Sequence, residues 1–523
     1  MPKPRIMFYH DGRHPHIYRY EPPMQKEEYV ALIDELVGTP IEAVMFCLGE
    51  GRTVLHDTQV GELLGHNVDK WDHLIFRRAH QTAKYLIEEG NDPLRIVCER
   101  AHEKGLLLYP TLLVQNFGVD GAPDRCSNFR LENRHLEINA RGDLDSTMPW
   151  IDGLDFKHRE VQDERFALIE ETLNVYPVDG FELQMNNYPR YFHPDEVEAG
   201  VRIMTDWTGR VYEAVKKSDT ERELAIRVPC SLEDALSIGL DLQEWIRQGI
   251  VDVLIGELFS GPHRVDPDAD FRPLVAAVKG SECRFLAAIH SRVGSDRLAE
   301  APISVVRATA CNYWAQNIDG LYLAQWFPHW PYGADFYERL REIPHPDIMA
   351  ARDKYYYIPT ENDRPAESLA RTQLPIRMEM DRPVSVKFTI SDDLPCWDRV
   401  GRVHEVLLRV GIAGTTELDC LSFKLNGKAL PGNILRKINQ MYRMSAPRNR
   451  SGPTYWFVFR PDRPHWPQQG ENTLEVTLLK RDPGVLADVS LRDVELEIKY
   501  LMGRNFHRGY VDSDLGPYAH EVS

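Results

Sequence analysis

From the start of the chain to about residue 345, short apolar blocks alternate with segments whose apolar positions recur every three to four residues. The blocks read as strands: RIMFYH (5–10), IEAVMFCLGE (41–50), LLLYPTLLVQ (106–115), DGFELQMN (179–186), ELAIRVP (223–229), VDVLIGEL (251–258), RFLAAIHS (284–291) and DGLYLAQWF (319–327). Between them, KEEYVALIDELV, EAGVRIMTDWTGRVYEAVKK and ISVVRATACNYWAQN carry helical spacing. Several strands follow a helix through a short polar turn, as in AHEKGLLLYP. Eight such units predict a (β/α)8 TIM barrel over residues 1–345. An open doubly wound sheet fits less well, because no GxGxxG follows an early strand.

One connection is long. Residues 116 to about 158 are polar with interspersed aromatics, which predicts an ordered loop over the C-terminal mouth of the barrel. After about residue 365 the period changes to two, in PVSVKFTI, HEVLLRVGI, CLSFKLNG, TYWFVFR, NTLEVTLLK and VELEIKYL. These runs, set off by turn residues, predict an antiparallel β-sandwich over 366–502, joined by a linker at 346–365 and followed by a polar tail at 503–523.

Composition narrows the partners. The chain has 523 residues, 62 basic against 80 acidic, a net charge of −18, and no basic run. Nucleic acid is therefore not expected as a partner. No apolar stretch has the length of a membrane span, and the N-terminus enters a strand without a signal-like core, so a cytoplasmic location is expected unless a leader has been removed. The eight cysteines are scattered without a CxxC pair and read as buried hydrophobes, not disulfides or zinc ligands. No cofactor is expected. A homo-oligomer is compatible with an appended sandwich.

In a barrel the chemistry sits where the strands end, so polar residues there are the candidates. The fourth strand carries Glu182, Gln184 and Asn186 with one parity, facing one way. The fifth carries Arg227, the sixth Glu257, the seventh His290 and the eighth Gln325 and Trp326, with Trp330 following in QWFPHWPYG. The first ends in HDGRHPH, with Asp11, and the second in Glu50. A carboxylate inside a barrel is costly unless paired, and Arg227 on the next strand is the expected partner of Glu182. Two carboxylates across one cavity suit glycosidic bond cleavage, one as proton donor and one as nucleophile or base. Glu182 is expected as general acid/base and Glu257 as its partner. Asp11, Glu50, Gln184, Asn186, Arg227, His290 and Gln325 would bind sugar hydroxyls, and Trp326 and Trp330 would stack on sugar rings. Glu182, Glu257 and His290 could instead share a divalent cation in an isomerase or epimerase, although no HxH or HExxH spacing supports a metal.

The stretch LDFKHREVQDERFALIEETLNVYPVDGFEL (154–183) resembles the strand-four region of TIM-barrel glycoside hydrolase-like proteins, and the C-terminal runs resemble the accessory sandwiches behind many glycosidase barrels. The resemblance implies a barrel acting on carbohydrate. The chain departs from the family's motifs at informative positions. Chitinase-like strands read Asp-Gly-x-Asp-x-Asp-x-Glu and amylase-like strands Asp-Gly-x-Arg-x-Asp; here Gln184 and Asn186 stand where those acids would be. Of that strand only Glu182 stays acidic, so a second carboxylate has to come from elsewhere, Glu257 first. A barrel that binds carbohydrate without cleaving it is the alternative.

Overall fold

The structure is a computed structural model that describes residues 3–258, 264–295, 298–360, 372–439, 448, 454–503 and 508, with Glu50 described by its backbone alone. The tail expected at 503–523 lies outside the described residues apart from positions 503 and 508.

The chain divides into two compact units: 1–260, 271–288 and 318–331 in one, and 261–270, 289–317 and 332–523 in the other. The first is built on eight parallel strands: β1 (Ile6–His10), β2 (Ala43–Glu50), β3 (Leu107–Leu113), β4 (Gly180–Gln184), β5 (Glu223–Pro229), β6 (Val253–Glu257), β7 (Arg284–Ile289) and β8 (Gly320–Leu323). Each pairs with the next, and β1 pairs with both β2 and β8, so the sheet closes as a TIM barrel. Register fixes depth. Thr111, Glu182 and Ala225 lie in one row across β3, β4 and β5. Gln184, Arg227 and Ile255 form the next row toward the C-terminal end, and Pro229 with Glu257 the one after. The long connection after β3 is ordered as expected, with short helices at Pro123–Arg125, Asn128–Glu132 and Arg134–Leu136. Buried Arg130 donates to the Asn116 side chain and to the Asp152 carbonyl, tying its two ends together.

In the second unit, the described strands form two antiparallel sheets. They are β9 (Lys354–Tyr357), β10 (Ile376–Arg377), β11 (Pro383–Ile390), β12 (Val403–Ala413), β13 (Cys420–Leu425), β14 (Leu435–Asn439), β15 (Thr454–Phe459), β16 (Gly470–Lys480) and β17 (Ser490–Tyr500). One sheet runs β9-β17-β12-β15-β14 with β10 beside β17, and the other β11-β16-β13 extended by Lys428–Ala429. Alternate residues such as Leu408, Val410, Leu496 and Ile498 of the first sheet form one core with Val386, Phe388, Leu474 and Val476 of the second. Within the expected linker, the described residues 346–360 are structured. They include the helix Pro346–Met349 and β9, which was missed because Tyr355, Tyr356 and Tyr357 are all buried and leave no period of two.

The other face of the larger sheet is buried but charged. Arg409 lies opposite Glu495 in the ladder, and the Tyr355 hydroxyl donates to the Glu495 carboxylate. Burial, reinforced by Asp493 and opposed by Arg448 and the Tyr355 hydrogen bond, pushes the Glu495 carboxyl up to about 7. A raised carboxyl means that between about pH 4.5 and 7 the folded chain holds a proton that the unfolded chain has lost. Stability should therefore fall as pH rises through this window, by on the order of 3 kcal/mol. Thermal unfolding across pH 4.5 to 8 checks this: wild type should lose stability relative to Glu495→Gln as pH rises, and parallel curves would refute it.

Candidate active site

Strand β4 alternates as its sequence demands. Phe181 and Leu183 are buried on one side, while Glu182 and Gln184 are buried on the other, with Asn186 continuing the polar row past the strand end. The polar row meets side chains from β3, β5, β6 and β8, and the depth of each residue decides what it can touch.

Glu182 is the deepest of the three and has 0% exposure. Arg227 Nε donates to its Oε1 at 2.8 Å, the Tyr322 hydroxyl reaches both oxygens at 3.0 Å, and the Thr111 hydroxyl donates to Oε2. Arg227 Nη2 donates in turn to the Tyr322 hydroxyl, and the guanidinium lies between two rings, 4.4 Å from the centroid of Tyr9 and 4.5 Å from that of Tyr322. Burial disfavours the charge on Arg227, but Glu182, Tyr322 and Glu257 outweigh it and raise its pKa well above the ordinary value. The expected Glu182–Arg227 pair is present. Arg227 bridges Glu182 and Glu257, with its Nε 2.8 Å from Glu182 Oε1 and its Nη1 3.5 Å from Glu257 Oε1.

Glu257 ends β6, one row nearer the mouth than Arg227 and two rows nearer than Glu182. Asn186 Nδ2 donates to its Oε2 at 3.2 Å and to its carbonyl at 3.2 Å, Gln184 Nε2 donates to Oε2 at 3.3 Å, and Arg227 Nη1 lies 3.5 Å from Oε1. Gln184 is itself oriented, since its Oε1 accepts from the Asn186 backbone N–H at 2.8 Å. With Nδ2 turned to the carboxylate, Asn186 Oδ1 is buried and has no hydrogen-bond partner among the described residues. A buried acceptor left in this state is costly, and a ligand hydroxyl would satisfy it.

The remaining candidates divide. Asp11, at the end of β1, caps its own turn by accepting from the Arg13 and His14 N–H groups at 3.1 Å, and its Oδ2 lies 2.7 Å from His14 Nδ1. Burial alone would raise its carboxyl, but His14 and Arg13 hold it below the usual carboxylate range. Burial likewise lowers neighbouring His10 to about 3, so that ring is neutral. Glu50 ends β2, with its backbone opposite Leu113. Gln325, just past β8, is half-buried and takes a left-handed backbone with φ +56°. His290 directly follows β7 and is buried in the second unit. Trp326, for which stacking is expected, is fully buried with 0% exposure. Trp330 is half-buried, with Arg19 4.6 Å above its ring and its Nε1–H bonded to Glu35 at 2.9 Å. Among the described residues, no group of three His, Cys, Asp or Glu side chains is placed to hold a metal ion.

Sequence reasoning missed Tyr9, Thr111 and Tyr322, which fix Arg227 and Glu182. Their signal was present as polar or amphipathic residues of inward parity in otherwise apolar strands, LLLYPTLLVQ and DGLYLAQWF among them. It also missed the exposed ring of Tyr188 beside Phe117.

No protein-family model matches the chain, and no curated protein matches it. Solved structures do. A cycloisomaltooligosaccharide glucanotransferase of Paenibacillus sp., complexed with cycloisomaltoheptaose, aligns over 94% of this chain and 57% of its own at 10% identity and a TM-score of 0.36. The alpha-L-fucosidase isoenzyme 2 of Paenibacillus thiaminolyticus aligns over 68% and 51% at 13% identity and 0.43. The glycoside hydrolase domain of PgaB (BpsB) from Bordetella bronchiseptica aligns over 65% and 99% at 14% identity and 0.40. The chain thus spans a little over half the length of the first two. In this chain, no helix among the described residues is long and apolar enough to cross a membrane.

Proposed function

We propose that this chain is a glycoside hydrolase that cleaves its substrate at the C-terminal mouth of the barrel, with Glu257 as the working carboxylate. One observation carries the reading: Glu257 is oriented by Asn186, Gln184 and Arg227 beside an Asn186 oxygen that awaits a donor. Donors on three sides suit a carboxylate that acts as nucleophile or water-activating base. Gln184 and Asn186, which replace the family's acids, then hold sugar hydroxyls. Glu182 acts through Arg227 and not on the substrate. Asp11 and Glu50, at the ends of β1 and β2, remain candidates for the second carboxylate. Gln325 and Trp330 remain candidates for sugar contacts.

A second reading has support in the same amides. A barrel in which amides have replaced acids on β4 could bind a glycan without cleaving it. A panel of aryl glycosides and oligosaccharides offered to wild type, Glu182→Gln and Glu257→Gln separates the two. Turnover of at least one substrate by wild type and its loss in Glu257→Gln supports hydrolysis. Binding without turnover in all three proteins supports the alternative and overturns our reading.

A further inference from the structure

Two residues past Asn186 along the chain stands Tyr188, whose ring meets that of Phe117. Tyr188 follows β4 and Phe117 follows β3, the neighbouring strand, and their ring centroids are 4.8 Å apart at 45°. Tyr188 is 46% exposed. It lies two residues beyond Asn186, hence at most about 7 Å along the chain from the residue that holds Glu257.

The pair is built, not incidental. Tyr188 has φ +52°, a left-handed conformation that costs energy for a bulky side chain and is further disfavoured before a proline, here Pro189. Glycine or asparagine would fit this backbone with less strain. The strained turn is held from several sides. The Arg190 N–H donates to the Tyr188 carbonyl at 2.8 Å, and the Tyr191 hydroxyl donates to the Met185 carbonyl at 2.7 Å. Gln115, buried at the end of β3, donates through Nε2 to the carbonyls of Arg190 at 2.8 Å and Leu154 at 2.9 Å, and accepts the Leu154 N–H at 3.2 Å. One amide therefore ties together the loops after β3 and β4 and the segment that carries Gly153. Phe117 is seated on that glycine: a Cβ at position 153 would stand 2.7 Å from Phe117 Cε1.

We infer that Phe117 and Tyr188 form a stacking platform for a pyranose ring next to the one at Glu257, so that the substrate is an oligosaccharide of at least two sugar units. The inference rests on the proposed glycosidase reading and adds its substrate class. The C–H face of a pyranose is apolar while its rim is polar, and a rigid, half-exposed ring pair offers a matching apolar face at little entropic cost. Strain retained at an exposed tyrosine beside the site fits a residue kept for its ring.

Calorimetric titration of the full chain carrying Glu257→Gln, which removes turnover from the measurement, tests it. The probes are cellotriose, maltotriose and chitotriose with their monosaccharides, titrated with and without Tyr188→Gly. The ratio of trisaccharide to monosaccharide affinity should fall about 5- to 10-fold in Tyr188→Gly, while the melting temperature stays level or rises as the strain is relieved. A merely structural tyrosine would show the reverse, a lower melting temperature with the ratio unchanged, and that result overturns the platform. Wild-type turnover of an aryl glycoside with a ratio indifferent to Tyr188→Gly sinks the platform alone. A ratio that depends on Tyr188 in a protein without turnover sinks hydrolysis and upholds the platform. Absence of both binding and turnover across the panel sinks both.

Discussion

Glu257→Gln should reduce turnover by at least about 10³-fold while leaving the melting temperature within a few degrees of wild type. The amide keeps the shape of the side chain, and its oxygen can still accept from Asn186 Nδ2 and Gln184 Nε2. What it loses is the negative charge, and with it the ability to attack an anomeric carbon or to take a proton from water. Arg227 keeps Glu182 as counter-charge at 2.8 Å, so the buried cation is not left alone. The loss should fall on kcat, with KM within a few-fold, because the sugar-binding groups are untouched. Progress curves on the best substrate of the panel, with unfolding curves of the same preparations, check both halves. A variant that retained most of its rate would remove Glu257 from the chemistry. A variant that unfolded would mean that the carboxylate serves the fold.

The two architectures were legible because each rests on a local period. ELAIRVP and PVSVKFTI coincide with β5 and β11 residue for residue, and the other predicted strands differ at their ends. Such strands announce themselves when one face is buried or both are apolar. Strand β9 did not, and neither did β10 and β14, which are short or largely polar. The shared facing of the β4 polar residues was legible, but their depth was not. Parity placed Glu182, Gln184 and Asn186 on one side, and the neighbouring strand supplied Arg227. Whether Glu182 meets substrate or protein depends instead on the register of β4 against β5 and β6, and on Tyr322 arriving from β8, about 140 residues away. Pairing between strands so distant in sequence leaves no local mark. The burial of Trp326 leaves no such mark either, since a strand-end aromatic reads alike whether it faces solvent or the core.

The largest stability effect should come from Arg227→Met, which is expected to destabilise the barrel by about 3–5 kcal/mol, a large share of the 5–15 kcal/mol typical of a folded domain. The methionine fills most of the space between Tyr9 and Tyr322, so little of this cost is a cavity. It comes from Glu182 and Glu257, both 0–1% exposed, which lose a shared counter-ion while remaining out of water. Arg227→Lys should rescue only part, since an ammonium cannot bond Glu182, Tyr322 and Glu257 at once from a plane held between two rings. Combining Arg227→Met with Glu182→Gln should cost less than the sum of the two single changes by more than about 1 kcal/mol, because the second change removes a charge that the first has stranded. Urea unfolding of the four proteins, read from the barrel's own transition, measures that coupling. Additive costs would mean that Arg227 and Glu182 do not hold each other in place, and the assignment of Glu182 as the anion that positions Arg227 beneath Glu257 would fall with them.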